Sequence, residues 1–177
     1  MQLMIIDVIQ GGLNMETDYN MDCCITKDRD WFRYRATAII IEDDCILMAS
    51  NDVSVYYYSV GGGVHLGETA EEAVIREVLE ETGVNYEIER LAFIHENFFE
   101  GNGTTAGLKC HEIAFYFLMK SRGTQLLNSN SICAEGQEYM NWIPINELKN
   151  HTIYPTFFTE KLINIPNQVE HIVTRAI

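Results

Sequence analysis

Four carboxylates and an arginine stand at fixed intervals in the middle of this chain: Glu68, Arg76, Glu77, Glu80 and Glu81. On a helix each residue advances about 100°. With Glu77 at 0°, Glu80 falls near ~300° and Glu81 near ~40°, so the three glutamates share one face. Like charges at i and i+4 weaken a bare helix by about a few tenths of a kcal/mol per pair. A hard divalent cation, Mg²⁺ or Mn²⁺, prefers carboxylate oxygen and removes that penalty. The alternative is a helix whose glutamates only meet water. Upstream lie Gly61, Gly62 and Gly63, where the missing Cβ lets backbone approach a phosphate or offer a carbonyl to a metal. The same glycines would also serve as a tight turn into the helix.

The elements that must position these groups follow from the pattern around them. Thr69 with Glu72 fits a capping box and Gly83 a C-terminal stop, which predicts a helix over Thr69–Thr82. Its other face, with Ile75, Val78, Leu79 and Thr82, is expected to anchor it to a sheet. Arg35–Glu42 reads as a strand ending at the turn Asp43-Asp44, and Cys45–Ala49 and Val55–Ser59 as further short strands. This antiparallel set leads into the glycines. Tyr86–Phe99 and Leu108–Met119 read as long strands separated by a loop, and Glu138–Ile143 as another strand. Ser121–Gly136 reads as a mobile loop and Thr156–Ile163 as a last helix. Strands, helix, strands and helix in one domain predict an α/β sandwich around a mixed sheet.

The 177 residues carry a net charge of −14 with twelve Lys and Arg, which argues against a nucleic-acid partner. An acidic protein meeting a phosphate-rich ligand implies a metal between them. No apolar run approaches the ~18 residues of a membrane span. Met1–Ile9 is apolar but has neither a basic flank nor a small-residue cleavage site, which makes it a poor signal peptide. Five cysteines, an odd number without CxxC spacing, fit a reduced, cytoplasmic setting.

Residues 62–84, GGVHLGETAEEAVIREVLEETGV, fill nine specified positions: Gly62, Glu68, Arg76, Glu77, Val78, Glu80, Glu81, Gly83 and Val84. This stretch resembles the signature box of the Nudix hydrolases, which cut nucleoside diphosphates linked to another group. The resemblance implies the Nudix fold, an α/β/α sandwich with a mixed β-sheet, over residues 31–165. An extension, 1–30, would add an edge strand, widen the cleft or form the arm of a homodimer, and 166–177 would be a tail. It also implies Mg²⁺ or Mn²⁺ as cofactor and a small phosphorylated nucleotide as substrate. Glu80 and Glu81 match the family's principal metal ligands, and Glu77 a position that is ligand, general base or both. Arg76 would orient a glutamate, and Glu68 would hold Arg76. Gly61–Gly63 would meet phosphate or metal through backbone. Glu135, in Glu135-Gly136-Gln137, resembles a loop acid that supplies a further base or ligand in several relatives, with Glu138 in reserve. The base is therefore Glu77 or Glu135.

The family's usual substrate marks outside the box are missing here, so the resemblance names a reaction class and leaves the substrate open. Val60 stands where proline is common. His95, His111, Tyr56–Tyr58 and Phe98-Phe99 are candidates to line a cleft or stack on a base, and equally ordinary strand residues. A second function class is a non-catalytic module that binds a nucleotide. Such modules lose box residues, whereas this chain keeps them all, which favours hydrolysis.

Overall fold

The computed structural model describes residues 21–133 and 136–176, without the Cys133 side chain. Glu135 lies outside the described residues. β1 (Cys24–Lys27), β2 (Asp30–Ile39), β6 (Gly61–Gly63), β7 (Ile88–Glu100), β8 (Lys109–Met119) and β12 (Glu170–Arg175) form one sheet. β2 runs parallel to β8 and β12 parallel to β7, while β7–β8, β1–β2 and β2–β6 are antiparallel. The sheet is therefore mixed, as the alternation of elements implies.

β3 (Ile41–Glu42), β4 (Cys45–Asn51), β5 (Tyr57–Ser59), β9 (Ile132–Cys133), β10 (Gly136–Pro144) and β11 (Ile153–Tyr154) build a second sheet. The reversal between β3 and β4 is made by Asp43 and Asp44 at φ 50 and 60°, a left-handed pair that aspartate tolerates better than most residues. The helix expected over Thr69–Thr82 is α1 (Ala70–Thr82), with Thr69 and Glu72 in a reciprocal capping box and left-handed Gly83 as C-cap. The last helix shortens to α2 (Phe158–Lys161).

Two cores fill the sandwich. On one side Ala73, Val74 and Val78 of α1 meet Ala36, Ala38, Val60, Val64 and Phe117. On the other, Phe158 and Leu162 meet Phe93, Ala114, Tyr116 and Leu148. Helix, sheet and helix are thus layered as the sequence implies. Among the described residues no helix is long and apolar enough to cross a membrane.

Four local readings change. The three glycines are not a bare turn: they form β6, with Thr37, Ala36 and Arg35 opposite Gly61, Gly62 and Gly63. The helix is also rotated from the expected orientation. Ile75 and Leu79 are 42% and 43% exposed, while Ala70, Ala73, Val74, Val78, Glu81 and Thr82 are buried. Of the shared-face glutamates, Glu81 therefore lies within the buried arc and Glu77 beside it, instead of opposing it. The segment after β8 is tied down at its start, because the Glu42 carboxylate accepts from Ser121 Oγ (2.6 Å) and from the backbone of Arg122 and Gly123 (2.7 and 3.0 Å). Finally, residues read as a tail contribute β12, which extends the first sheet beside β7.

Candidate active site

β6 is gripped from two sides. Val60 and Val64, flanking it, bond to β2: Ala38 N–H donates to Val60 O (2.9 Å) and Val64 N–H to Tyr34 O (3.1 Å). Alternation turns Gly61 and Gly63 the other way, and side chains claim their backbone groups. Gly61 N–H donates to Glu81 Oε1 (3.0 Å), Arg35 Nη2 donates to Gly61 O (2.7 Å), and Arg76 Nη2 donates to Gly63 O (3.0 Å). A side chain at Gly62 would be driven into the Glu77 carboxylate, and one at Gly61, at φ 128°, into Ala36 O. Here the glycines are required by close approach.

Arg76 ties the box together. Its Nε and Nη2 donate to the two oxygens of Glu68 (2.9 and 3.0 Å), and Nη1 donates to Glu77 Oε1 (2.5 Å) and, longer, to Glu80 Oε2 (3.4 Å). Such bidentate, charge-assisted pairing fixes both partners. These bonds raise the Arg76 pKa and hold Glu68 below the usual carboxylate range. Glu68 Oε2 also accepts from the backbone of His65 (3.0 Å). Glu77 is raised instead, since burial outweighs the pull of Arg76.

Glu81 is the deepest of the set. It is 9% exposed, Oε1 is taken by Gly61, and Oε2 is buried with no hydrogen-bond partner. Burial, reinforced by the nearby charge of Glu138, pushes its carboxyl up to about 8. A buried carboxylate oxygen without a donor is costly, and a cation is the natural partner for it. Glu80, at 60% side-chain exposure, stands at the open edge. Among the described residues no three acidic, His or Cys side chains already converge on one point. Glu68, Glu77 and Glu80 share the Arg76 guanidinium, while Glu81 turns to Gly61 N–H. The donor set, all oxygen and mostly carboxylate, fits Mg²⁺ or Mn²⁺.

Glu68, Arg76, Glu77 and Glu80 thus form one connected cluster, and Glu81 joins it through β6. Glu138, the reserve acid, is buried on the far side of Glu81, with Oε1 accepting from Tyr58 OH and Oε2 from Ser131 Oγ, both at 2.6 Å. His95 is packed elsewhere, bonding Thr174 Oγ1 (2.9 Å) between aromatic rings, and His111 is stacked on Phe98 at 4.2 Å.

One candidate residue escaped the sequence reading. Arg35 is half-buried and donates to Ser59 O (2.9 Å) as well as Gly61 O. Burial disfavours its charge, but Glu112, Tyr116, Glu81 and Glu77 outweigh this and raise its pKa. An arginine directly before the buried run Ala36–Ile39 of β2 was the available signal.

Known proteins share the family and the fold. The family model described as NUDIX domain matches residues 31–160. A putative mutator protein MutT4 of Mycobacterium tuberculosis (strain CDC 1551 / Oshkosh) is 33% identical over 93 residues. That match covers 52% of this chain and 34% of the relative, so it spans about a third of the relative's length. A mutator MutT protein from Bacillus halodurans superposes with a TM-score of 0.58 at 18% identity, over 81% of this chain and 91% of that one. A MutT NUDIX hydrolase from Burkholderia pseudomallei gives 0.54 at 21% identity, over 72% and 95%. At such identities the two structures speak for the fold alone.

Proposed function

The chain belongs to the NUDIX family, and on that premise we propose that it is a metal-dependent hydrolase. Its substrate would be a nucleoside diphosphate linked to another group, a nucleoside triphosphate or a nucleotide sugar, cut at a phosphoanhydride bond. The observation that carries this reading is the Glu81 carboxylate: buried, raised in pKa, and with one oxygen lacking any donor. Around it every box residue is present, and Arg76 is bonded to Glu68, Glu77 and Glu80.

In this reading Glu77, Glu80 and Glu81 hold Mg²⁺ or Mn²⁺. Bound cations would supply neutralisation of the pyrophosphate and acidification of a water. Arg76 keeps Glu77 and Glu80 aimed at the site and is itself held by Glu68 and Gly63 O. Gly61 N–H fixes one oxygen of Glu81 and leaves the other for a cation. Glu77 or Glu135 takes the proton of the attacking water. The water oxygen bonds to phosphorus, the bridging P–O bond breaks, and the leaving phosphate carries away the electron pair. Gly61, Gly62 and Gly63 let the phosphates approach the backbone.

The competing reading, a nucleotide-binding module without turnover, is disfavoured by Arg76, Glu77, Glu80 and Glu81 all being kept. A cytoplasmic setting belongs to the same reading, supported by four free cysteines among the described residues. So does a homodimer, which sedimentation of the full chain would test.

The experiment is phosphate or monophosphate release from nucleoside triphosphates, nucleotide sugars, ADP-ribose and dinucleotides, with and without Mg²⁺ or Mn²⁺. Metal-dependent release from any of them is expected. Metal binding without release across the whole set would favour the binding module.

A further inference from the structure

We propose that β12 is the joint of a homodimer: its outer edge pairs antiparallel with the same edge of a second copy of this chain, centred on Ile172. This inference rests on the homodimer reading above and names the surface for it.

Among the described residues β12 ends the first sheet, with β7 on one side and no strand on the other. Of the strands that end the two sheets it is the longest, six residues against four in β1 and two each in β9 and β11. It also lies outside residues 31–160, so it is an addition of this chain to the matched domain. An open edge presents unpaired N–H and C=O groups, and proteins blunt it with proline, lysine or a bulge. β12 carries neither proline nor lysine, and its register with β7 is unbroken. Val169 and Val173 are 48% and 49% exposed.

Backbone phase and side chains together fit a second copy. Ala176 N–H donates to Phe98 O (2.9 Å), so the alternate residues Thr174, Ile172 and Glu170 turn their backbone groups to β7. Val169, His171, Val173 and Arg175 turn theirs outward. Two copies related by an axis normal to the sheet keep their faces on the same side, so residues set opposite each other must share a face. Centred on Ile172, the pairing sets His171 against Val173, Glu170 against Thr174 and Val169 against Arg175 of the second copy. No like charges meet there, whereas a pairing centred on Val173 would set His171 against Arg175. Glu170 and His171 keep their own partners, Lys161 and Glu96, within each copy. Ile172 then faces itself in a pair without hydrogen bonds, the closer of the two antiparallel spacings at about 4.5 Å between Cα atoms. Such an isologous contact closes after two copies and joins their first sheets into one.

The test is sedimentation equilibrium of the full chain and of its Val173→Pro, Val173→Lys and Ile172→Cys variants, with circular dichroism as the check on folding. Val173→Pro removes only an outward N–H, so the ladder with β7 is kept. It deletes two interchain hydrogen bonds per dimer and is expected to raise the dissociation constant at least about tenfold. Val173→Lys, opposite His171 of the second copy, should weaken the dimer in the same direction. Ile172→Cys should crosslink the dimer under mild oxidation, beyond any crosslinking that the unmodified protein gives through its own five cysteines. A monomer at every concentration of the unmodified protein would overturn the homodimer reading and this inference together. A dimer that survives both Val173 variants, or that gains no crosslink in Ile172→Cys, would overturn the edge pairing alone.

Discussion

The backbone N–H of Gly61 donates to Glu81 Oε1 at 3.0 Å, which couples the glycine strand to the last turn of α1. The same bond leaves Glu81 Oε2 buried without a partner. One residue pair thus fixes one Glu81 oxygen and leaves the other without a donor.

A pH dependence follows from the raised Glu81 carboxyl, about 8 against an ordinary 4.5. Between these values the folded state binds more protons than the unfolded one, so stability without metal falls as pH rises from 4.5 to 8. Below that window the protonated group costs nothing. Thermal unfolding in chelator from pH 5 to 9 should show Tm declining, and saturating Mg²⁺ should reverse the decline at the upper end. Glu81→Gln, which cannot ionise, should flatten the curve in chelator.

Gly62→Ala should damage catalysis more than folding. The new methyl would be driven into the Glu77 carboxylate, which Arg76 holds in place. A displacement of that size costs about a hundredfold in rate. Circular dichroism should be unchanged while kcat falls.

Arg76→Lys should fail as a conservative change. A lysine offers no planar fork, so it cannot bond both Glu68 oxygens and reach Gly63 O as well. We expect loss of about 1–3 kcal/mol by denaturant titration and a drop in kcat. Glu68→Gln should weaken both quantities in the same direction but less, since Gly63 O and Glu77 still hold the arginine.

The orientation of α1 gives a paired test. Val78 is 1% exposed and Val78→Ala should cost about 2 kcal/mol through the cavity it leaves. Ile75, at 42% exposure, should accept aspartate within about 0.5 kcal/mol. Equal costs at the two positions would mean that the helix is turned differently.

This last contrast marks the boundary of what the chain discloses. Thr69, Glu72 and Gly83 announce both ends of α1 because caps are local hydrogen-bond chemistry. The spacing of Glu77, Glu80 and Glu81 likewise shows that they share a face. Which arc of the helix turns inward depends on the partner surface. Here Ala36, Val60 and Val64 accept Val74 and Val78, which draws Glu77 and Glu81 against β6. Helical periodicity cannot distinguish that arrangement from one anchored by Ile75 and Leu79. The strand character of Gly61–Gly63 was hidden for a related reason, since glycine has no strand propensity of its own and β2 imposes the pairing. β12 escaped notice because its six residues, alternately half-buried and exposed, form a parallel edge whose partner lies far upstream in β7. Glu138, by contrast, was within reach of the sequence as the reserve to Glu135, and it is buried next to Glu81.

The most direct measurement is Mn²⁺ binding to the unmodified protein and to Glu81→Gln at pH 8, followed by hydrolysis of the best substrate by both. The account predicts that the substitution abolishes tight binding and lowers metal-dependent turnover by at least about a hundredfold, with the fold retained. Full Mn²⁺ affinity and full activity in Glu81→Gln would contradict it.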